Sequence, residues 1–394
     1  MDILFVQHGD YGLAYKSMLT YEKEIYRDQF RSVRFVADLS ATHIIRVLSF
    51  CARPHREQLT ANLWSIGVKK GNHFKAQLDK TLASFNTDLL VCRTPHRQTL
   101  NWAATNRILT LPCFADTFSN DNLRSRLRNL WLGHTLKKVL KPCVANHSLN
   151  ASQSLTLLGI CPTTIIPWDW SPLEIKYIGK PFPDKNHTFS IMYIGVLSQA
   201  KGLDTAIDAI SNLKAKGIKV TLNIAGQGDL DYWRGYTKQQ GVSFQVNFLG
   251  TIPSDSVLHT MNANDAIIVP SKHEYPEGLP NTIYEALASR SPLIISDHPA
   301  FAGRLREDID CLSFTANSAT SLASRILDLK TTPNLYKTLS DHSINALQSL
   351  YIGSDWCDLI KSFIDDPENK GDWTKTVNLE YIQQHSRQYN IESD

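Results

Sequence analysis

The stretch EYPEGLPNTIYEALASRSPLIISDHP, Glu274 to Pro299, gathers the residues best suited to chemistry. Three carboxylates, Glu274, Glu277 and Glu285, surround a Gly-Leu-Pro-Asn turn that leads into a helical pattern. A helix start offers free backbone N–H groups and a partial positive charge, so a phosphate would sit there. Carboxylates would repel that phosphate unless they served something beside it. Asn281 is placed to cap a helix running through Ile283, Glu285, Ala286 and Leu287, with Glu277 on the loop before it and Glu285 one turn inside. Backbone N–H groups around Gly278, Leu279 and Asn281 then point outward. For Glu274, complementing the helix dipole is explanation enough.

Three other segments carry candidates. In YIGVLSQAKGLDTAIDAI, Lys201-Gly202 lies between a strand and a helix, where a lysine can face a phosphate or simply be solvated. In LNIAGQGDLDYW, Gly226, Gln227 and Gly228 end a strand, where glycine lets a backbone approach a ligand closely. The third glycine of a dinucleotide-binding turn is absent, so an ordinary turn competes with this reading. Asp229-Leu230-Asp231 and Asp308-Ile309-Asp310 spell D-x-D, which can hold a divalent cation, but Asp229 at a helix start reads better as a cap.

The elements that must position these residues follow from the hydrophobic pattern. Apolar runs ILFVQ, VRFVADL, HIIRVLSFC, DLLVCR, ILTLPC, PCVANH and TIIPWD read as strands in the first half; SIMYIGVL, VTLNIAG, VNFLG, AIIVPS and PLIIS do so in the second. Continuous Ile/Val/Leu runs suit strands buried on both faces of a parallel sheet, with helices as crossovers. The proline-rich segment Pro167 to Phe189 reads as a linker. The fold class expected is α/β, with two doubly wound domains over residues 1–175 and 186–365.

Composition narrows the function. The chain has 394 residues, 42% hydrophobic and 20% charged, with a net charge of +3, too balanced to imply nucleic acid. Seven cysteines, with no C-x-x-C pair, argue against a disulfide framework and for a reducing, cytoplasmic setting. The thirteen histidines show no zinc-type spacing, and no metal site is expected. No run is long enough to span a membrane, and the start MDILFVQHGDYG does not read as a signal peptide.

The segments GVLSQAKGLD, LNIAGQGDL, VNFLGTIP, AIIVPS and EGLPNTIYEALASRSPLIISD follow one another in an order and spacing that resembles the retaining GT-B glycosyltransferases of family four. The resemblance is strong over about residues 190–315, with the family's E-x7-E pair on Glu277 and Glu285. It implies a GT-B fold, two Rossmann-like domains facing across a cleft, with a C-terminal helix at about 375–394 packing back on the N-terminal domain. It implies that Glu277 faces the transferred sugar of a nucleotide-sugar donor such as a UDP- or GDP-sugar. Glu285 then binds the ribose, and the amides near Gly278, Leu279 and Asn281 hold the phosphate end. Lys201 neutralises the diphosphate, and Gly226, Gln227, Gly228 and Ile252 line the nucleotide pocket. No metal or other cofactor is implied.

The chain departs from the family where an arginine usually follows the glycine matching Gly195. Val196 stands there, so one cation is missing unless Lys272 or a residue of the first domain replaces it. Arg290, in ASRSP, reads either as a further substitute or as a solvent-facing side chain. In the first half, Gly12 of HGDYG is expected to face the donor, with Asp10 and Tyr11 as acceptor contacts. His96, after LLVCRTP, is expected to contact the transferred sugar, with Asp116 as a weaker candidate. Residues 123–141 hold six Lys/Arg, several leucines, Trp131 and no acid. That pattern suits a solvated helix face or a peripheral contact with an anionic membrane.

The reading that follows is a metal-independent, retaining transferase moving a hexose-type sugar to a glycan, lipid-linked or small-molecule acceptor, as in polysaccharide or glycoconjugate assembly. It is placed in the cytoplasm or at the inner face of a membrane. Two rivals stay open: a binding or scaffold protein on a lapsed GT-B frame, and an NAD-dependent oxidoreductase using Gly226.

Overall fold

A computed structural model describes residues 1–20, 24, 27–51, 53–184, 187–352 and 354–389. The chain divides into two units. One comprises Met1–Glu24, Asp28–Ser171 and Ile352–Asp394, the other Ile25–Arg27 and Pro172–Tyr351.

The strands of the first unit are β1 (Asp2–His8), β2 (Ile44–Phe50), β3 (His55–Thr60), β4 (Leu63–Val68), β5 (Leu89–Cys92), β6 (Leu109–Phe114), β7 (Val144–His147) and β8 (Ile165–Trp168). They form one sheet in the order β3-β4-β2-β1-β5-β6-β7-β8. All pairs are parallel except β3 with β4 at the edge. Successive side chains of a strand point to opposite faces. Leu4 and Val6 therefore join a core with Leu78, Leu82 and Leu100, while Ile3 and Phe5 join another with Val33, Val36 and Trp356.

The second unit holds β9 (Phe189–Ile194), β10 (Val220–Ala225), β11 (Val246–Gly250), β12 (Ala266–Val269), β13 (Leu293–Ser296) and β14 (Leu312–Phe314). They form a parallel sheet in the order β11-β10-β9-β12-β13-β14. The strands β12 and β13 are buried along their whole length, as their unbroken apolar composition requires when helices cover both faces.

The strand order reverses once in each sheet, between β1 and β5 in the first unit and between β9 and β12 in the second. In open α/β sheets the loops leaving the carboxyl ends of such strands diverge and leave a crevice for ligand. Those loops carry Gly9–Asp10 and Arg93–His96 in the first unit, and Gly195–Gly202 and Pro270–Pro280 in the second.

Three local readings of the sequence are corrected. The stretch VRFVADL is helical, within Gln29–Asp38, and its buried positions Gln29, Ser32, Val33 and Val36 follow a helical spacing. The polar run HREQLT and its partner LWSIGV form the β3–β4 hairpin, absent from the expected strands. The helix Trp356–Asp365 lies in the first unit rather than the second. Its Trp356, Ile360 and Phe363 bury in the first unit's core, and Asp355 caps it while accepting two bonds from Arg31 at 2.8 and 2.9 Å.

The segment read as a linker is bound along the second unit from Pro172. Leu173 N–H donates to Tyr351 Oη at 2.7 Å, and Lys180 N–H to Ser340 Oγ at 2.7 Å. The Lys180 ammonium donates to the carbonyls of Asn262, at 2.7 Å, and Asn264. Burial pulls its pKa down to about 8. The last helix, Leu379–Tyr389, packs against β8 and the helix Leu149–Ser154 of the first unit. Residues 390–394 of the expected helix lie outside the described residues. No described helix is long and apolar enough to cross a membrane.

Candidate functional site

In the second unit the loop after β9 closes with Gly202 at φ +74°, opening the helix Leu203–Ala215. Lys201, just before it, forms an ion pair with Glu277 on the loop after β12. The Lys201 ammonium also sits over the Tyr275 ring, 4.4 Å from its centre. Both charged side chains are largely withdrawn from water, at 16% and 7% exposure, which strengthens their attraction relative to a surface pair. The backbone N–H of Lys272 donates to Ala200 O at 3.0 Å, joining the two loops. The Lys272 ammonium pairs with Asp204, in the first turn of that helix, at 2.8 Å. Two lysine–carboxylate pairs thus occupy the crevice.

The helix Asn281–Ala288 begins beside them. Asn281 is its first residue, not its cap; Pro280 holds the cap position and makes no side-chain cap bond. Proline fixes the backbone for the turn but has no side-chain acceptor for the first amides. Thr282 instead donates its hydroxyl to Ile194 O at 3.3 Å, pinning the helix start to the end of β9. Gly278, Leu279, Glu277 and Glu285 are buried, and Glu274 is exposed. Asp229 caps the helix Leu230–Gln239 by accepting from Tyr232 N–H at 3.0 Å, so the D-x-D there is a cap. Asp310 of the other D-x-D is held by Arg306 at 2.9 Å.

Gly226, at φ +143°, touches the loop after β9: a Cβ on it would lie 1.7 Å from Gly195 O. Leu197 N–H donates to Gln227 O at 2.8 Å, and Gly228 bridges Leu197. Gln227 and Gly228 are exposed, whereas Ile252 packs half-buried against the cluster containing Val257 and Ile283. Val196 is 55% exposed. Arg290 lies past the far end of the helix Asn281–Ala288, about 13 Å from its start at ~1.5 Å per residue, and so cannot replace the missing cation there. Lys272 lies on the correct loop.

His298, just after β13, has no place among the sequence candidates. It is buried, accepts from Ala300 N–H through Nδ1 at 3.0 Å and donates from Nε2 to Tyr275 O at 3.0 Å. Burial lowers its pKa, so the neutral tautomer is fixed by its two partners. It braces the loop that carries Tyr275 and Glu277. Its position at the carboxyl end of β13 was the one signal in the sequence, as site loops leave that edge.

In the first unit, Asp10 caps the helix Tyr11–Leu19 by accepting from Leu13 N–H at 3.0 Å. Tyr11 is a core residue, 2% exposed, donating to Val33 O at 3.0 Å, and is not available as an acceptor contact. Gly12 is likewise buried, and its missing side chain makes room for Ser65, whose Oγ would lie 2.9 Å from a Cβ. The donor-facing role expected of it is therefore corrected to packing.

His96 caps the helix Arg97–Thr105, accepting from Thr99 N–H through Nδ1. The proton is thereby left on Nε2. Its ring packs edge-on against Phe50 and Phe74, at 4.8 and 5.7 Å. Burial first, then Lys70 and His8, push its pKa down to about 4. His8, at the end of β1, hydrogen-bonds Thr94 Oγ1 at 3.2 Å; it too was missed. Burial raises Asp116 to about 6, at the end of β6. In space, ligand atoms of Asp10, Cys51 and His55 lie within 4.8 Å of one another.

Residues 179–345 match the family model described as glycosyl transferases group 1. The chain is 32% identical to the "Uncharacterized glycosyltransferase MJ1607" of Methanocaldococcus jannaschii over 107 residues, 27% of this chain and 26% of that protein. It is 26% identical to the "Amylovoran biosynthesis glycosyltransferase AmsK" of Erwinia amylovora over 143 residues, 35% of each chain. The chain thus spans about a quarter to a third of these relatives. Its structure is similar to that of Anabaena Alr3699/HepE in complex with UDP-glucose, with a TM-score of 0.60 at 16% identity, covering 93% of this chain and 98% of that one. At that identity the likeness establishes the fold: two parallel-sheet α/β domains of the GT-B kind.

Proposed function

We propose, for a chain whose residues 179–345 belong to the glycosyl transferases group 1, the transfer of a hexose-type sugar from a nucleoside-diphosphate sugar, with retention of the anomeric configuration and without a metal ion at the diphosphate. The observation that carries this reading is the pairing of Lys201 with Glu277 at the sheet's switch point, beside the start of the helix Asn281–Ala288, where Pro280 makes no side-chain cap bond. The diphosphate would lie against the amides of that helix start, where backbone N–H groups and the helix dipole favour an anion. Lys201, released from Glu277 by the incoming anion, stabilises the charge that grows on the leaving diphosphate, and Lys272 supplies the second cation that Val196 does not. Glu277, freed in the same exchange, accepts from sugar hydroxyls; Glu285 accepts from the ribose. Gly226, Gln227 and Gly228 line the nucleotide, and Ile252 faces the base. His96, neutral and with its proton on Nε2, is a hydrogen-bond donor at the carboxyl edge of the first unit's sheet.

The relatives support a glycan setting: AmsK is named for amylovoran biosynthesis, and HepE was solved with UDP-glucose. Release of nucleoside diphosphate from a panel of UDP-, GDP- and ADP-sugars, with EDTA present, tests the reading. One base class should be consumed, and Glu277→Gln should abolish it. Consumption of none, in the presence of glycan and lipid-linked acceptors, would favour the lapsed scaffold.

A second reading concerns the acceptor's location. On the helix Leu123–Lys138, Leu123, Leu127, Leu130 and Trp131 are 42–73% exposed, in one stripe at helical spacing. Six Lys/Arg and no acid accompany them over residues 123–141. That combination suits a peripheral contact with an anionic bilayer from the cytoplasmic side. Co-sedimentation with vesicles should require anionic lipid and weaken in Leu130→Ser/Trp131→Ser; equal binding to neutral vesicles would count against it.

A further inference from the structure

The Asp10, Cys51 and His55 side chains come from three different elements: the cap of the helix Tyr11–Leu19, the end of β2 and the start of β3. Their carboxylate, thiol and imidazole atoms lie within 4.8 Å of one another. In each of two ligands the outward atom is tied down. Asp10 Oδ1 accepts from Leu13 N–H at 3.0 Å, which leaves Oδ2 turned to His55 Nδ1 at 3.7 Å. His55 Nε2 is hydrogen-bonded to Ser65 Oγ at 2.8 Å, which leaves Nδ1 facing inward. A partner on the far nitrogen is the usual way a ligating histidine is oriented.

Two glycines make room for this arrangement. A Cβ on Gly67, directly across from His55 in the β3–β4 pair, would lie 2.4 Å from His55 Nδ1. A Cβ on Gly12 would lie 2.9 Å from the Ser65 oxygen that holds the ring. A larger residue at position 67 would displace the imidazole, and one at position 12 would press on the serine oxygen that holds it. Cys51 Sγ and His55 Nδ1 both lie 3.2 Å from the carbonyl oxygen of Arg53, so a thiol proton and a ring proton share one weak acceptor where a cation could replace both.

We propose that Asp10, Cys51 and His55 bind a thiolate-preferring divalent cation, with Zn²⁺ the first choice. Zinc takes carboxylate oxygen and imidazole nitrogen at about 2.0–2.2 Å and thiolate sulfur at about 2.3 Å, in a tetrahedron whose ligand atoms are about 3.3–3.8 Å apart. The Asp10–His55 separation already falls in that range, and the remaining contraction is about 1 Å, within reach of side-chain rotation. Three protein ligands leave the fourth position to water or a small ligand. The mixed N, O, S set selects against magnesium and calcium, which take oxygen. The ion would tie the Gly9–Asp10 loop, which leaves the switch-point strand β1, to β2 and β3. Its three ligands belong to the first unit and the diphosphate contacts proposed above to the second, so neither proposal depends on the other.

The test uses the full chain, stripped with EDTA and dialysed, then titrated with Co²⁺ alone and afterwards with Zn²⁺. One equivalent of Co²⁺ should produce a thiolate-to-metal charge-transfer band that Zn²⁺ abolishes, and Zn²⁺ should raise the thermal midpoint. The band should be lost in Cys51→Ser and kept in Cys161→Ser, an exposed cysteine outside the cluster. Ser65→Ala removes no ligand and should weaken Zn²⁺ binding about tenfold to a hundredfold. Gly67→Ala should weaken it as well. No band in the wild-type chain, a band that survives Cys51→Ser, or unchanged affinity in Ser65→Ala would each overturn the proposal. Nucleoside-diphosphate binding in EDTA should be the same in Cys51→Ser and wild type, which separates a failure here from a failure of the donor site.

Discussion

His298 donates from Nε2 to the carbonyl oxygen of Tyr275 at 3.0 Å, two residues before Glu277. The Tyr275 ring in turn supports the Lys201 ammonium. One buried histidine on the β13 edge therefore sets the loop from which the site's ion pair is made. Replacing it with alanine removes the partner of the half-buried Tyr275 carbonyl and of the buried Ala300 amide, a loss of about 1–3 kcal/mol. His298→Ala should lower the thermal midpoint and raise the donor KM more than it lowers kcat. His298→Gln, whose amide can still donate, should recover much of both. Steady-state kinetics on the two variants checks the split.

Lys272 and Val196 make opposite predictions. Lys272→Ala removes the second cation from the crevice and should weaken nucleoside-diphosphate binding about tenfold, the effect of one charge-assisted contact of about 1.5 kcal/mol. Val196→Arg places a cation on an exposed loop position and should strengthen it by about twofold to fivefold, the range of exposed ion pairs. Calorimetric titration at low salt measures both.

His96 gives a pH signature. Its ordinary value is 6.5 and burial brings it to about 4 in the folded chain, so the unfolded chain takes up the proton first as pH falls. The stability it contributes is present above pH 6.5 and lost as the pH falls toward 4. His96→Gln should flatten the acid limb of the stability curve in that window. Denaturant midpoints at pH 7, 5.5 and 4.5 are the check.

Gly202 tests the architecture rather than the chemistry. It sits at φ +74°, and a Cβ there would lie 1.9 Å from Pro270 O. Left-handed strain costs an alanine about 1–3 kcal/mol before the overlap is counted. Gly202→Ala should therefore destabilise the second unit and misplace Lys201 together, seen as a lower midpoint and weaker diphosphate binding.

Much of the second unit was legible in the sequence. Runs such as AIIVPS and PLIIS are buried on both faces, and such strands declare themselves by composition. Lys201 and Glu277 lie 76 residues apart but both leave strands flanking the sheet's reversal; the family resemblance named both residues, and their pairing is seen only in the structure. The misreadings have local causes. VRFVADL is rich in valine and phenylalanine, and its helical spacing was hidden by their strand preference. HREQLT is an edge strand, which is allowed to be polar. Tyr11 and Gly12 resembled a ligand loop, but the helix begins at Tyr11 and turns both inward. His298 and the Asp10–Cys51–His55 cluster depend on which strands are neighbours, which spacing along the chain does not encode.

The central claim is that the Lys201–Glu277 crevice holds a nucleoside diphosphate without a metal ion. Its most direct test is the thermal midpoint of the chain with UDP, GDP, ADP and NAD, each with EDTA, in the wild type and in Lys201→Ala and Glu285→Ala. A rise with one nucleoside diphosphate that is lost in both variants is the predicted result. A rise that needs added metal, one that survives both substitutions, or one from NAD alone would contradict the account.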